Sequence, residues 1–427
     1  MERKEIYNYF LQSSGIATDN RKIQKDNLFV ALKGDNFNGN KFALSAIENG
    51  AKFAIIDEAE YKIDDRFILV DNSLTALQDL ANFHRNQLNI TIIGLTGSNG
   101  KTTTKELIYA VLSQKFNTKA TIGNLNNHIG VPLTLLSFDT STEMGIVEMG
   151  ANHQKEIEML CEICQPDYGY ITNFGKAHLE GFGGTEGVIK GKSELYQFLS
   201  SNNKTVFVNT DDSIQNEKTE NLKRITFGYN APNNFVNITN IETNPMVKIE
   251  FEDTTIQSHL IGLYNANNIN AAVTIGKHFG VSNEKIKFGL ENYIPNNNRS
   301  QLLEKNSNKI ILDAYNANPS SMNAALTNFF QLEEQNKVAI LGDMFELGNE
   351  SSEEHNKLVA FCFHHEDIKF HFIGKDFFAH KNANTNMTFH ETFESFQSAF
   401  PNQISENSFL LIKGSRGMSL ERTLDLL

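Results

Sequence analysis

The sequence predicts an α/β protein in three domains, with a nucleotide-binding, parallel-sheet unit at its centre and a doubly wound, Rossmann-like unit at its C-terminus. Three observations carry this. The chain has 427 residues, more than one ordinary core accommodates. An apolar, β-branched run, Ile90 to Leu95, enters a Gly-rich turn and then Gly100-Lys101-Thr102, the order strand, phosphate loop, helix. Beyond Pro295, short strand-like runs alternate with helical patterns to the end of the chain.

Composition narrows the partners. Hydrophobic residues make up 40% and charged residues 21%, as in a soluble globular protein. The net charge of −13, from 38 basic and 51 acidic residues, argues against nucleic acid or an anionic membrane as the main partner. No apolar run approaches the ~20 residues of a membrane span, and Met1-Glu2-Arg3-Lys4-Glu5 lacks the apolar stretch of a signal peptide. The expectation is a cytoplasmic protein without membrane insertion. Cys161, Cys164 and Cys362 suit a reducing compartment. Cys161 and Cys164 continue a helical pattern with Ile157 and Leu160, so they read as core-facing rather than as a zinc or redox pair. His364-His365 reads as a helix end.

In order, residues 1–84 contain the strand-like runs Leu28–Leu32, Phe53–Ile56 and Phe67–Val70, a small α/β unit. Residues 85–296 hold the phosphate loop and a helix from Lys101 to about Gln114, with apolar Leu107, Ile108, Val111 and Leu112 at helical spacing. Thr96, Gly97, Ser98, Asn99 and Gly100 supply backbone N–H groups to cradle phosphates at the helix N-terminus. Lys101 is placed to neutralise the terminal phosphates, the Thr102 hydroxyl to bind Mg²⁺, and Thr103 to complete the ATP-binding loop. The loop is a variant, because Leu95 stands where G-x-x-x-x-G-K-[ST] requires glycine. Glu148 ends the run Gly145–Glu148; a carboxylate at the C-terminal end of a buried strand beside a phosphate loop suits Mg²⁺. Residues 204–260 are β-rich and carry no evident chemistry. Pro295 to Asn298 reads as a linker and candidate hinge. Residues 297–427 contain the runs Lys309–Asp313, Val338–Leu341, Phe370–Ile373 and Phe409–Lys413. Lys413 and Arg416, just past the last of these, are suited to anionic groups.

The loop Thr96-Gly97-Ser98-Asn99-Gly100-Lys101-Thr102, followed by Thr172-Asn173 leading to His178-Leu179-Glu180 and by Lys190-Gly191-Lys192-Ser193-Glu194, resembles the Mur ligases and the related folylpolyglutamate synthases. These join an amino group to a carboxylate at the expense of ATP. The resemblance implies catalytic roles for Lys101, His178 and Lys192. It implies two Mg²⁺ ions held by Thr102, Glu148, His178 and Lys192, the last as an N-carboxylated lysine. It places Asn265 and Asn268 at the adenine and adds Arg299 and Asp313 to the ATP site. The loop Gly123–Pro132, with Asn124, Asn127 and His128, would face a sugar-peptide substrate. Asp19 and Arg21, in Thr18–Lys22, match the N-terminal domain that binds a uridine-diphosphate sugar, although Asn20 replaces the commoner serine.

Asp313–Met322, Leu341–Gly348 and Leu411–Gly417 resemble the branch that adds D-alanyl-D-alanine to UDP-N-acetylmuramoyl-tripeptide, with Tyr315, Asn316, Asn318, Lys413 and Arg416 on the substrates. Lysine and diaminopimelate both fit as the tripeptide's third residue, and a monomer is expected. A sister ligase shares the ATPase core, but Asp313–Met322 and residues 1–84 speak against it. A phosphate-loop switch protein would need neither Lys192 nor the polar substrate loop.

Overall fold

Each expected unit forms around its own sheet in the computed structural model, which describes residues 3–296, 298–400 and 406–427. The N-terminal sheet pairs Ile16–Ala17, Leu28–Val30, Phe53–Ile56 and Phe67–Leu69, all in parallel. Leu28, Phe29 and Val30 are wholly buried, as an inner parallel strand flanked on both faces requires. The expected run to Leu32 stops at Val30, because the Leu32 N–H turns back onto the Val30 carbonyl at 3.0 Å. A small hairpin, Lys33–Gly34 with Phe37–Asn38, follows.

The helix Ser73–Gln87 starts at Asn72, whose side chain accepts the Thr75 N–H at 2.9 Å. Its far end packs on the central domain: Arg85 pairs with Asp167 at 2.9 Å, and Asn82 donates to the Glu162 carbonyl at 2.9 Å. Near residue 84 the two domains therefore share this helix as a common wall.

The central sheet has nine strands. From Thr118–Ala120 at one edge it runs through Met144–Glu148, Thr91–Thr96, Tyr168–Ile171, Thr205–Asn209 and Lys223–Tyr229 to Val236–Thr243, all parallel. Met246–Phe251 and Thr254–Ile261 then add antiparallel at the far edge of the parallel sheet. The cause is connection length: only Asn244-Pro245 and Glu252-Asp253 separate these strands, too few residues for a crossover. The helix after the phosphate loop ends at Leu112, short of Gln114. The N–H groups of Gln114 and Lys115 reach back three residues, to Val111 and Leu112, and tighten the last turn.

The C-terminal sheet orders Gln301–Lys305, Asn308–Asp313, Phe409–Lys413, Lys337–Gly342, Lys369–Ile373 and Met387–His390, with only the first pair antiparallel. The expected hinge includes Asn297, which lies outside the described residues. Cys161, Cys164 and Cys362 are buried, and burial pushes the Cys164 thiol up to about 12. His364 and His365 lie just past the helix Ser351–Cys362, with His365 stacked on Phe330.

Candidate active site

The strands Thr91–Thr96, Met144–Glu148 and Tyr168–Ile171 lie side by side, so Thr96, Glu148 and Thr172 meet along one carboxyl edge of the sheet, where parallel α/β sheets place their ligands. The phosphate loop is held from the neighbouring strand. The Thr172 hydroxyl donates to the Asn99 carbonyl at 2.6 Å, and the Asn173 amide bonds both the N–H and the carbonyl of Asn99. This is the physical content of the Thr172-Asn173 pair. Gly97 at φ +140° packs on Thr172, where a Cβ would come within 2.0 Å of Oγ1. Gly100, at φ +78°, caps the helix Lys101–Leu112.

Lys101 closes the loop by donating to the carbonyls of Gly97, at 2.7 Å, and Ser98, at 3.2 Å. Its ammonium is brought down to about 8, chiefly by burial, against the opposing pull of Glu148. Thr102 Oγ1 donates to Glu148 Oε1 at 3.3 Å, and Asn126 Nδ2 donates to the same oxygen at 2.8 Å. Glu148 is 1% exposed, and its Oε2 has no partner. A buried carboxylate oxygen without a donor is costly. A hard divalent cation beside the Thr102 hydroxyl would satisfy it, so the side chains present fit Mg²⁺.

Lys192 lies behind the cleft wall. Its amine donates to the Ala151 carbonyl at 3.0 Å and lies 4.9 Å from the centre of the Phe182 ring, with no ion-pair partner among the described residues. Burial first, and Lys101 second, hold its ammonium well below the ordinary lysine range. His178 has a left-handed backbone, φ 53°, and bonds Glu346 of the C-terminal domain through Nδ1.

A cavity of about 730 Å³ runs from this edge to the C-terminal domain. Ser98 to Thr103, Glu148 and His178 line it from the central domain, and Asp313, Tyr315, Asn316 and Asn318 reach it from the other side. Asn265 and Asn268 also face it, with their amides spent on each other and on the fold. Asn268 Nδ2 donates to Asn265 Oδ1 at 2.8 Å, and Thr104 donates to Asn268 Oδ1 at 3.0 Å. Arg299 stacks on the Tyr315 ring at 3.7 Å, leaving its buried Nε unpartnered. Asp313 accepts from the Ser300 N–H at 3.1 Å and pairs with Lys413 at 2.5 Å. Lys413 therefore reaches the cleft with its charge already committed to Asp313.

Asn124, Asn127 and His128 line the wall nearest the N-terminal domain. Asn127 Oδ1 accepts from the Ile129 and Gly130 N–H groups, at 3.1 and 2.9 Å, in the turn that leads into the helix Gly130–Leu136. Asn318 caps the helix Pro319–Gln331 and donates to Asn99 Oδ1 at 2.7 Å, joining the C-terminal domain to the phosphate loop. Thr96 and Gly97 lie under the loop rather than on the cavity. Arg416 faces a second cavity of about 1080 Å³, which the first meets at Arg299 and Tyr315. Asp19 and Arg21 pair with each other at 2.8 Å on the N-terminal domain and line neither cavity. Three contributors escape motif reading. Asn126 belongs to the Gly123–Pro132 loop and Glu346 to the Leu341–Gly348 stretch, where each was one polar residue among several; Lys176 meets Glu354 at 2.7 Å, a partner distant in sequence.

Known proteins share this arrangement from end to end. Residues 12–85 match the Mur ligase family catalytic domain, 95–276 the Mur ligase middle domain, and 298–416 the Mur ligase glutamate ligase domain. The UDP-N-acetylmuramoyl-tripeptide–D-alanyl-D-alanine ligase of Bacillus subtilis is 34% identical over 419 residues, covering 95% of this chain and 91% of that one. A MurF crystal structure from Acinetobacter baumannii superposes with a TM-score of 0.89 at 30% identity, over 99% of this chain and 98% of that one. The MurF ligase of Thermotoga maritima, solved in complex with ADP, gives 0.86 at 26% identity, over 98% and 97%. With family models matching all three domains in chain order and a 34%-identical relative covered almost end to end, the chain belongs to the Mur ligase family.

Proposed function

We propose that the protein is an ATP-dependent ligase that adds D-alanyl-D-alanine to UDP-N-acetylmuramoyl-tripeptide, in the synthesis of the peptidoglycan precursor on which cell shape and division depend. One observation carries the reading. The phosphate loop and Glu148 of the central domain share a single cleft with the Asp313–Asn318 segment of the C-terminal domain. The division into residues 1–84, 85–296 and 297–427 gives each substrate a domain: the uridine-diphosphate sugar on the first, ATP on the second, the dipeptide on the third.

A carboxylate is a poor electrophile, because its leaving group would be oxide. The γ-phosphoryl group of ATP passes to the tripeptide carboxylate, giving an acyl phosphate and ADP. The dipeptide amine attacks the acyl carbon, loses a proton, and the tetrahedral intermediate expels phosphate. Gly100 and the first turn of the helix it caps present backbone N–H groups to the phosphates, Gly97 and Asn99 shape the loop that aims them, and Lys101 leaves the loop carbonyls to follow the transferring charge. Thr102 and Glu148 would hold one Mg²⁺, and His178 with carboxylated Lys192 a second. Bound there, the ions neutralise the phosphate oxygens. Lys192 suits carboxylation because burial favours its neutral amine: the nitrogen bonds the carbon of CO₂, one proton leaves, and the neutral amine becomes a carbamate anion. Arg299 and Asp313 complete the nucleotide side, with Asn265 and Asn268 beside the base. Asn124, Asn127 and His128 face the sugar-peptide, and Tyr315, Asn316, Asn318 and Arg416 the dipeptide. Among the described residues no helix is long and apolar enough to cross a membrane. A cytoplasmic monomer is the working state we assign.

The test is phosphate release from ATP with UDP-muramyl-tripeptide, with and without D-alanyl-D-alanine. Release that needs both substrates is expected. Release indifferent to the dipeptide but triggered by a diamino acid on the UDP-muramyl dipeptide, or by glutamate on folate, would move the chain to a sister ligase.

A further inference from the structure

Glu346 belongs to the C-terminal domain, yet its carboxylate ends on His178 of the central one. We propose that Glu346 is a positioning residue. Its carboxylate accepts the Nδ1–H of His178 and so fixes the tautomer in which Nε2 offers a lone pair to the cleft, and this happens only when the C-terminal domain is docked. The second cation site is then completed by domain docking itself. The proposal rests on the reading of His178 as a Mg²⁺ ligand.

Four observations converge on it. His178 lines the cleft and its Nε2 has no hydrogen-bond partner among the described residues, while Nδ1 is taken by Glu346. Which ring nitrogen is free to ligate is set by the bond the other makes, and a carboxylate is the usual partner behind a ligating histidine. Both partners hold left-handed backbone, φ 53° at His178 and 61° at Glu346, a conformation non-glycine residues adopt only when their surroundings enforce it. Their segments also meet through the backbone, the Glu180 N–H lying 3.3 Å from the Glu346 carbonyl.

The loop carrying Glu346 is braced on its own side. The Met344 N–H donates to His355 Nε2 at 3.0 Å, and the Phe345 N–H to Ser415 Oγ at 2.9 Å. Asp343 accepts the N–H groups of Asp376 and Phe377 at 3.1 and 3.0 Å. Asp343, His355 and Asp376 lie close enough together to suggest a metal site of their own. The lone pair of His355 is already used on Met344, so the cluster reads instead as the scaffold that aims Glu346.

The tautomer can be read directly in metal-free enzyme. Protein labelled with ¹⁵N in its histidine rings, in alkaline buffer where histidine is neutral, gives a His178 signal assigned by its loss in His178→Gln. Wild type is expected to carry the proton on Nδ1, and Glu346→Ala to lose that preference. Glu346→Gln keeps it, since the carboxamide oxygen still accepts. Mn²⁺ titrated by electron paramagnetic resonance, with a non-hydrolysable ATP analogue present, should bind Glu346→Ala roughly 10- to 100-fold more weakly. Glu346→Gln should lie between Glu346→Ala and wild type, and it carries the test if the alanine variant does not fold. A wild-type proton on Nε2, or wild-type Mn²⁺ affinity in the variants, overturns the proposal. Because the tautomer is read without substrates, its outcome is independent of whether phosphate release needs the dipeptide.

Discussion

At Gly97 the backbone runs at φ +140°, and a Cβ there would press to 2.0 Å from the hydroxyl that holds Asn99. Gly97→Ala therefore strains the backbone by about 1–3 kcal/mol and breaks the loop's tie to Thr172. The expected result is a lower melting temperature together with weakened ADP binding, measured by calorimetry. Lys192 makes a different prediction. Lys192→Ala should reduce turnover by roughly 100- to 1000-fold, the scale of losing one fixed charge from an active site, and excess bicarbonate should not restore it; substantial retained turnover would remove Lys192 from the mechanism. Both residues were legible because they stand inside dense motifs. The partners that hold other site residues in place were not. Asn126 on Glu148 and Asp313 on Lys413 are contacts between distant segments, and nothing local in the chain marks which asparagine or aspartate will be the partner.

Strands that carry the site announced themselves as apolar runs because they are buried on both faces, as Ile92–Leu95 and Ile310–Leu312 are. Thr118–Ala120, Gln301–Lys305 and Met387–His390 did not, because each is an edge strand with one neighbour and a partly solvated face. Two inner and edge strands of the C-terminal sheet also set a pH limit on stability. His371, on Lys369–Ile373, faces His390, on Met387–His390, at 3.3 Å. It is 2% exposed, and burial, with His390 and Lys369 adding, lowers its pKa to about 3. The unfolded chain takes up this proton near the ordinary value and the folded one does not. Stability is thus full above that value and is lost as pH falls toward 3. At pH 5 the loss from His371 comes to about 2 kcal/mol. Urea unfolding at neutral pH and at pH 5 should show it, and His371→Leu should flatten the difference; an unchanged slope would place the acid sensitivity elsewhere.

Across the whole molecule, catalysis in this arrangement needs the C-terminal domain against the phosphate loop, and few polar contacts hold it there. Besides Glu346 on His178 and Glu180, Asn318 reaches Asn99 at 2.7 Å, the Lys176 N–H donates to Ser320 at 2.7 Å, and the Lys176 ammonium pairs with Glu354 at 2.7 Å. Asn318 also caps its own helix, so substituting it would mix docking with folding. Lys176 and Glu354 separate the two. Glu354 is 7% exposed in its side chain, so the pair is partly shielded from solvent and a like-charge pairing there would repel strongly. Lys176→Glu alone should swing the C-terminal domain outward, seen as a larger radius of gyration by small-angle scattering. It should lower kcat/KM on the order of tenfold, the equivalent of about 1.4 kcal/mol of docking energy, while leaving ADP affinity near wild type. Glu354→Lys on that background restores the attraction in reverse. The rescue is partial, because Lys357 lies 3.2 Å from the present Glu354 carboxylate and would then face a second cation. If reversal of Lys176 leaves both scattering and kcat/KM unchanged, the docked arrangement is held by its apolar contacts, and the ion pair only decorates a closure that packing has already decided.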